Sequence, residues 1–134
     1  MMSRRGLREQ IFKLLFRVEF NSEEEMKTQC ELFFEDVDTH FEEEDMSYIQ
    51  SKYEQIQNKL EEIDKLIDEK AKGWSSDRMG KVELTIIRLG VYEILFDDDV
   101  PATVAINEAI ELAKTFGQDK SAGFVNAILA KFLE

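Results

Sequence analysis

Three arginines near the beginning of the chain form its clearest chemical grouping. Arg4, Arg5 and Arg8 lie within five residues of one another, where an amphipathic helix is predicted to begin. Guanidinium groups bind phosphate through paired N–H donors and stack on unpaired bases. A helix N-terminus adds partial positive charge and N–H groups that lack helical partners. The grouping therefore predicts contact with nucleic acid, and the alternative is that the arginines pair with acidic side chains of the same chain.

The charge of the chain is distributed unevenly. The formal net charge is −12, which by itself disfavours nucleic acid as a partner. Residues 1–18 nevertheless hold five basic side chains and one acidic one, whereas residues 19–72 hold 18 acidic and six basic side chains. The acidic body suits a basic protein partner, and the basic end suits phosphate.

Residue types that carry catalysis or bind metal ions are scarce. The chain has one histidine, His40, and one cysteine, Cys30, and no zinc-site spacing contains them. His40 is interpreted as solvated and Cys30 as a small packing residue. The glycines lack the spacings of phosphate-binding loops. We therefore expect no metal, no cofactor and no enzymatic activity, although the sequence does not show whether any two carboxylates share a cleft.

Length and composition favour one helical domain or two small helical subdomains. The 134 residues are 43% hydrophobic and 34% charged, with six glycines and one proline, so long helices are easier to build than many short strands. No apolar run approaches the roughly 20 residues that cross a bilayer. The basic N-terminus is not followed by the apolar region of a secretory signal. With a single cysteine as well, a cytoplasmic protein is expected.

Hydrophobic periodicity predicts three helices before residue 73. The first carries an apolar stripe from Leu7 to Val18. Ser22 and Glu25 have the spacing of a capping box at the start of a second helix. The inner face of that helix is expected to carry Met26, Leu32, Phe33 and Val37. A long amphipathic helix with one narrow apolar seam is predicted over 46–72.

A break at Gly73–Asp77 is predicted to separate two helical subdomains, approximately 1–72 and 73–134. Residues 82–96 are apolar nearly all round, and their number favours a buried central helix over the competing β-strand.

Turn and capping residues predict the last two helices. Pro101 ends the preceding helix, and Thr103 is expected to cap the next one. Gly117 is expected to stop that helix. A final helix is predicted over 119–133.

Several residues of the second half have side chains that need explanation. Asn107 and Asn126 stand on otherwise apolar helix faces, so we expect them to be buried and hydrogen-bonded. Arg88 and Glu93 within the apolar helix are expected to be paired internally. Trp74 is interpreted as a packing anchor rather than a platform for base stacking.

Several segments of the chain resemble the NusB family. Arg4–Phe16 resembles the arginine-rich opening of these proteins, and Ile87–Leu95 fits their central helix. Val100–Gly117, followed after a short loop by Gly123–Leu129, is similar to the C-terminal signature of the family. The C-terminal match is the specific one, whereas residues 20–72 match mainly in helical pattern.

The resemblance implies an all-α bundle of about seven helices in two subdomains. Members of the family bind the boxA element of ribosomal RNA transcripts as a heterodimer with NusE, a protein of the small ribosomal subunit. The complex joins other Nus factors on RNA polymerase and suppresses termination. Carried over to this chain, the resemblance and the basic residues imply an RNA-binding set of Arg4, Arg5, Arg8, Arg78, Lys81, Lys114, Lys120 and Phe124.

The resemblance also places the NusE contact at Phe16 and Glu83. The family often has Tyr at the position of Phe16, Ala at that of Leu7 and Gln at that of Lys13. The missing hydroxyl removes one interfacial hydrogen bond worth roughly 0.5–1.5 kcal/mol, so binding is expected to survive. Glu83 either pairs with a basic residue of the partner or faces solvent. Phe124 is either an RNA contact or a core residue.

Two other functions fit the same sequence less well. A helical adaptor that binds only protein is compatible with the charge asymmetry. The NusB-like module of an RNA methyltransferase would be followed by a Rossmann-like catalytic domain, which this sequence does not contain. Self-association of the protein is left open.

Overall fold

The structure, a computed structural model, describes residues 1–36 and 38–133. Within these residues it consists of six α-helices and three short 3-10 turns and has no strand. The predicted all-α class is confirmed. The helices are α1 (Arg4–Phe16), α2 (Glu23–Phe34), α3 (Glu43–Lys70), α4 (Lys81–Phe96), α5 (Ala102–Phe116) and α6 (Ser121–Ala130).

The chain forms two compact units, Met1–Gln57 and Asn58–Glu134, and α3 contributes to both. The division expected from the break after residue 72 stays a prediction. The 3-10 turns are Arg17–Glu19 in the first unit and Ser76–Arg78 and Lys131–Leu133 in the second.

The first unit begins with α1, whose apolar stripe is buried as predicted. The sequence places an apolar residue at helical spacing along one side, and five side chains of this helix are buried: Leu7, Ile11, Phe12, Leu14 and Leu15. The last member of the predicted stripe, Val18, is only half-buried because α1 ends at Phe16 and the chain tightens into a 3-10 turn.

The predicted capping box at the start of α2 is confirmed. The Ser22 hydroxyl accepts the Glu25 N–H at 3.1 Å, and the Glu25 carboxylate accepts the Ser22 N–H at 2.7 Å. These bonds to the ionised carboxylate hold the pKa of Glu25 below its usual range. The reciprocal bonds satisfy two N–H groups that no helical carbonyl reaches.

The inner face of α2 differs in part from the prediction. Met26, Cys30 and Phe33 are buried, whereas Leu32 is 50% exposed and lies on the outer side. Val37 lies outside the described residues. Burial raises the pKa of the Cys30 thiol, as expected for a packing residue.

The acidic run before the long helix forms its first turn. α3 begins at Glu43 rather than near residue 46, with Glu43, Glu44 and Asp45 in that turn. Carboxylates at this end interact favourably with the helix dipole. His40, just before the helix, is exposed at a φ of +50°, which agrees with its interpretation as a solvated side chain.

In the second unit α4 is the central element. Ten consecutive residues from Leu84 to Glu93 are buried, so the helix is covered on every side and the β-strand alternative is wrong. Gly90 permits close packing of α4 on α6, since a Cβ there would lie 2.7 Å from Cδ1 of the fully buried Leu129.

A charged pair lies within this apolar environment. Arg88 is 7% exposed, and its Nε and Nη2 donate to Oδ1 and Oδ2 of Asp64, both at 2.8 Å. The guanidinium and carboxylate therefore form a bidentate pair between α3 and α4. The expected internal pairing of Arg88 is confirmed.

Three predictions for the last helices are wrong. α5 starts at Ala102 after Pro101, with no side-chain cap, so Thr103 is an exposed helical residue. Asn107 and Asn126 are exposed rather than buried. The buried positions of these helices are other residues, among them Ala109 in α5 and Val125 in α6, so both asparagines face solvent.

Within the described part of the chain, no helix has both the length and the apolar character needed to span a membrane. In the same residues, no three His, Cys, Asp or Glu side chains come together in a group suited to a metal ion.

Removing the carboxylate of Asp64 tests the importance of the buried pair. Asp64→Ala leaves the Arg88 charge without its bidentate partner, and we expect the free energy of unfolding to fall by roughly 2–4 kcal/mol. Urea unfolding followed by circular dichroism measures the change. The matched control on the same helix is Glu62→Ala, which breaks only the exposed 3.7 Å pair with Lys59 and should cost less than about 1 kcal/mol. Equal losses in the two variants would contradict the assignment.

Candidate nucleic-acid interface

The predicted arginine cluster lies at the N-terminal end of α1. The Ser3 hydroxyl accepts the Gly6 N–H at 3.0 Å and so caps the helix. The first turn carries no acidic side chain of its own, and the partial positive charge of a helix N-terminus favours anions. Arg4 and Arg5 are exposed and Arg8 is half-buried. The cluster therefore presents cationic side chains at a helix end that itself favours anions.

The residues before α1 are bound to the start of α3. The Met2 N–H donates to Oδ2 of the buried Asp45 at 2.9 Å. The Met1 ammonium pairs with Glu42 at 3.0 Å, and the hydrogen bond and charge of that carboxylate raise the pKa of the ammonium group. Within the first unit, these contacts fix the backbone that leads into the arginine cluster.

The turn between α5 and α6 carries the second predicted part of the site. Gly117 ends α5, and its N–H donates to the Ala113 carbonyl at 2.9 Å. A Cβ at Gly117 would lie 2.6 Å from Cβ of Ser121 and 2.8 Å from the Ala113 carbonyl oxygen, so the turn has no room for a side chain there. The φ of Gly117 is −97°, and the requirement for glycine is therefore one of close approach rather than of left-handed backbone.

A buried hydroxyl connects this turn to α4. Ser121 is 5% exposed, and its hydroxyl accepts the Gln118 N–H at 2.9 Å while donating to Oε2 of Glu83 at 2.6 Å. Glu83 lies in the first turn of α4. Its carboxylate therefore does not simply face solvent, but helps to hold the α5–α6 turn in place.

Glu83 and the turn border a cleft of about 270 Å³ that also contains two aromatic rings. Trp74 and Phe124 meet edge to face, with ring centroids 5.3 Å apart. Phe124 is half-buried, Trp74 is 50% exposed and Lys120 is exposed. The cleft is lined by Trp74, Met79, Gly80, Glu83, Gln118, Lys120, Ser121 and Phe124.

The structure thus brings together three of the predicted residues, Glu83, Lys120 and Phe124. Two further members of the predicted set are also exposed, Arg78 in the 3-10 turn before α4 and Lys81 at the first position of α4. Lys114 is exposed near the end of α5, with its Nζ 3.7 Å from the Glu111 carboxylate. Such an exposed pair contributes little and does not prevent contact with another anion.

Phe16, the other residue predicted to contact a partner protein, lies at the end of α1 in the first unit. It is half-buried, and its ring stacks on Phe12 at 6.1 Å and meets the exposed Phe20 edge to face at 5.2 Å. Phe12 itself is buried, so the apolar surface at this end of the helix is formed by the half-buried Phe16 and the exposed Phe20.

Sequence reasoning missed the role of Trp74 in forming the cleft. The packing interpretation is correct in one respect, since Trp74 contacts Phe124, but half of the residue remains exposed. Its position in a segment without apolar periodicity was the available signal, because a tryptophan outside a buried stripe has no predicted core to enter. Ser121 and Gln118 gave no such signal, since their contacts depend on how α4 meets the turn.

Removing the Ser121 hydroxyl tests the link between α4 and the turn. Ser121→Ala leaves the Gln118 N–H and the Glu83 carboxylate without this partner, and we expect a loss of about 1–2 kcal/mol in unfolding free energy. Amide hydrogen exchange at Gln118 should also become faster. The control is Thr115→Ala, because the exposed Thr115 hydroxyl bonds only to the Glu111 carbonyl of its own helix. Unchanged stability and unchanged exchange in Ser121→Ala would contradict the link.

Comparisons with known proteins place this geometry in a family. A sequence model described as the NusB family matches residues 5–134. A curated relative from Agathobacter rectalis, the transcription antitermination protein NusB, is 51% identical over 131 residues that cover 98% of this chain and 99% of the relative. A solved NusB structure from T. maritima has a TM-score of 0.84 and 35% identity and covers 97% of this chain and 89% of the other.

A second solved structure contains the antitermination factors NusB and NusE in complex with double-stranded RNA. It matches with a TM-score of 0.78 and 26% identity over 95% of this chain and 92% of that chain. The sequence match, the full-length relative and the shared helical architecture agree with one another. The chain belongs to the NusB family.

Proposed function

We propose that this chain is a transcription antitermination factor that binds boxA-type RNA of ribosomal RNA transcripts together with NusE. Family membership and the curated antitermination relative support the role. The structural neighbour that contains NusB, NusE and RNA supports the choice of partners. The observation that carries the proposal for this chain is the cationic cluster at the capped start of α1, in which Arg4 and Arg5 are exposed and Arg8 is half-buried, in a protein that is otherwise strongly acidic.

We propose one group of RNA contacts in each unit. The first is the cluster Arg4, Arg5 and Arg8, whose guanidinium groups suit phosphate oxygens and unpaired bases. The second is formed in the other unit by Arg78, Lys81, Lys114, Lys120 and Phe124. The short length of the basic cluster predicts weak binding by the protein alone, because each phosphate neutralised adds to affinity.

The proposed NusE contacts are Phe16 in the first unit and Glu83 in the second. The half-buried Phe16 packs against the exposed ring of Phe20 at the end of α1, which fits the apolar core expected of a protein interface. Glu83 keeps acceptor capacity after its bond to Ser121, since an ionised carboxylate has about four acceptor positions. RNA polymerase and other Nus factors are indirect partners in this proposal.

The chain is proposed to act by binding alone, in the cytoplasm and without metal, cofactor or catalysis. Its relatives are named for antitermination, and its cleft contains aromatic, cationic and hydrogen-bonding groups that suit recognition. A protein-only adaptor is the competing function, and the acidic body supplies the one observation in its favour. RNA titrations separate the two.

Neutralising part of the arginine cluster tests the proposed RNA contact. Arg5→Ala with Arg8→Ala should weaken binding of a labelled single-stranded boxA-type RNA by about tenfold or more, because charge-assisted bonds are lost. If each residue neutralises one phosphate, the slope of log affinity against log salt should become shallower by about 1.4. Fluorescence anisotropy at several salt concentrations measures both quantities.

The charge-matched control replaces the exposed Lys27 and Lys65 by Ala. These lysines lie on the acidic helices α2 and α3, and we expect RNA affinity to change less than in the arginine variant. Urea unfolding establishes that both variants are folded. Unchanged affinity and salt slope in a folded Arg5/Arg8 variant would remove this cluster from the site.

Addition of NusE tests the proposed assembly. NusE should raise RNA affinity by at least about fivefold, the lower end of usual coupling between two ligands, because it adds surface that the short basic cluster lacks. A filter-binding titration with and without NusE measures the gain, and a scrambled RNA is the control. Superimposable curves would contradict joint binding.

A further inference from the structure

Trp74 is a half-exposed residue in a turn whose main chain makes several hydrogen bonds. The main-chain N–H of Trp74 donates to the Ala71 carbonyl at 2.7 Å, and Gly73 supplies a φ of +87° for the turn. Two residues later, the Ser76 N–H donates to Oδ1 of Asp68 at 2.6 Å. These bonds fix the main chain at Trp74, and the edge-to-face contact with Phe124 positions its ring, while the residue remains 50% exposed.

The side chains around the Trp74 ring suit the binding of one flat, polar molecule. Lys120 supplies a cation, and the side chains of Gln118 and Glu83 supply hydrogen-bonding groups in the same cleft. A volume of about 270 Å³ is below the roughly 300–1,000 Å³ of pockets for drug-sized ligands. The cleft is therefore suited to a single planar ring system and is too small for a helix of another protein.

We propose that Trp74 is a stacking platform for one unpaired nucleobase of the bound RNA, with Lys120 oriented toward the adjoining phosphate. The inference rests on the proposed RNA-binding function and assigns an additional residue to it. Unpaired bases stack on aromatic rings, whereas the faces of bases inside a duplex are covered by their neighbours. The cleft accordingly selects single-stranded RNA.

The aromatic contact between Trp74 and Phe124 contributes to this role. Phe124 meets Trp74 edge to face, and Trp74 remains 50% exposed in the presence of this contact. A rigid aromatic ring loses little conformational entropy when a base stacks on it. The arrangement of the two rings is therefore preformed for stacking of a base.

The composition of the chain provides a direct measurement. Trp74 is the only tryptophan in the sequence, so intrinsic tryptophan fluorescence reports on this cleft alone. A titration with unlabelled single-stranded boxA-type RNA should quench the fluorescence and saturate at the concentration where anisotropy of labelled RNA saturates. Oligonucleotides with one abasic position, moved along the sequence, should include one that binds but quenches much less.

Substitutions separate stacking from mere packing. Trp74→Phe should bind RNA within a fewfold of the unaltered protein, and Trp74→Leu should bind about 5- to 100-fold more weakly, the range for loss of one stacked base. The matched control is Tyr48→Leu, which removes another exposed aromatic side chain, on α3 in the first unit, and should leave affinity unchanged. Urea unfolding measures the stability of each variant, so that a loss of RNA affinity can be distinguished from a loss of folding.

The outcomes distinguish this inference from the proposed function. RNA binding by anisotropy without quenching, or equal affinity of Trp74→Phe and Trp74→Leu, would overturn the stacking role and leave RNA binding intact. Absence of RNA binding by the unaltered protein, with and without NusE, would overturn both. Equal quenching by the annealed duplex would refute selection of an unpaired base. The same quenching by NusE alone would assign the cleft to the protein partner.

Discussion

The bidentate pair between Arg88 and Asp64 is the constraint on which the second unit depends. Arg88 occupies the middle of a helix whose surroundings are otherwise apolar, and a guanidinium cannot be desolvated there without a partner. Asp64 on α3 supplies that partner with two bonds of 2.8 Å. The pair therefore connects the middle of α4 to the part of α3 that lies in the second unit.

The position of α4 also affects the candidate site. Glu83 precedes Arg88 on α4 by somewhat more than one helical turn, and it holds Ser121 at the start of α6. Ser121 in turn binds the Gln118 N–H in the α5–α6 turn. A side chain proposed to contact a partner protein and a turn proposed to contact RNA are thus joined by two hydrogen bonds. The proposed NusE contact and the proposed RNA contact therefore share one hydrogen-bonded element of the fold.

Local features of the fold could be predicted from the sequence, whereas the choice of exposed face could not. The capping box at Ser22 and Glu25 follows from two residues at a fixed spacing, so no tertiary information is needed. Leu32, Asn107 and Asn126 were assigned to inner faces because periodicity alone defines a stripe, but the width of the buried face depends on which helices cover it. Arg88 was predicted to be paired because a buried charge demands it, yet its partner Asp64 is 24 residues away and could not be named.

The candidate site shows the same division between local and tertiary information. The arginine cluster is contiguous in sequence and was recognised from residue types alone. The cleft combines residues from the segment before α4, from α4 itself and from the start of α6. The cleft around Trp74 therefore could not be predicted from the sequence. It depends on how the helices pack, because Phe124 and Glu83 lie on other elements of the chain.

The close approach at Gly117 limits how this part of the protein can diverge. A Cβ there would conflict with Ser121 and also with the carbonyl oxygen of Ala113. Replacing Ser121 by alanine keeps its Cβ and therefore the first conflict. The second conflict also stays, because a main-chain oxygen cannot rotate away without breaking the end of the helix. Compensating changes elsewhere in the turn are therefore ineffective, and among descendants of this sequence the position should remain glycine even where its neighbours vary.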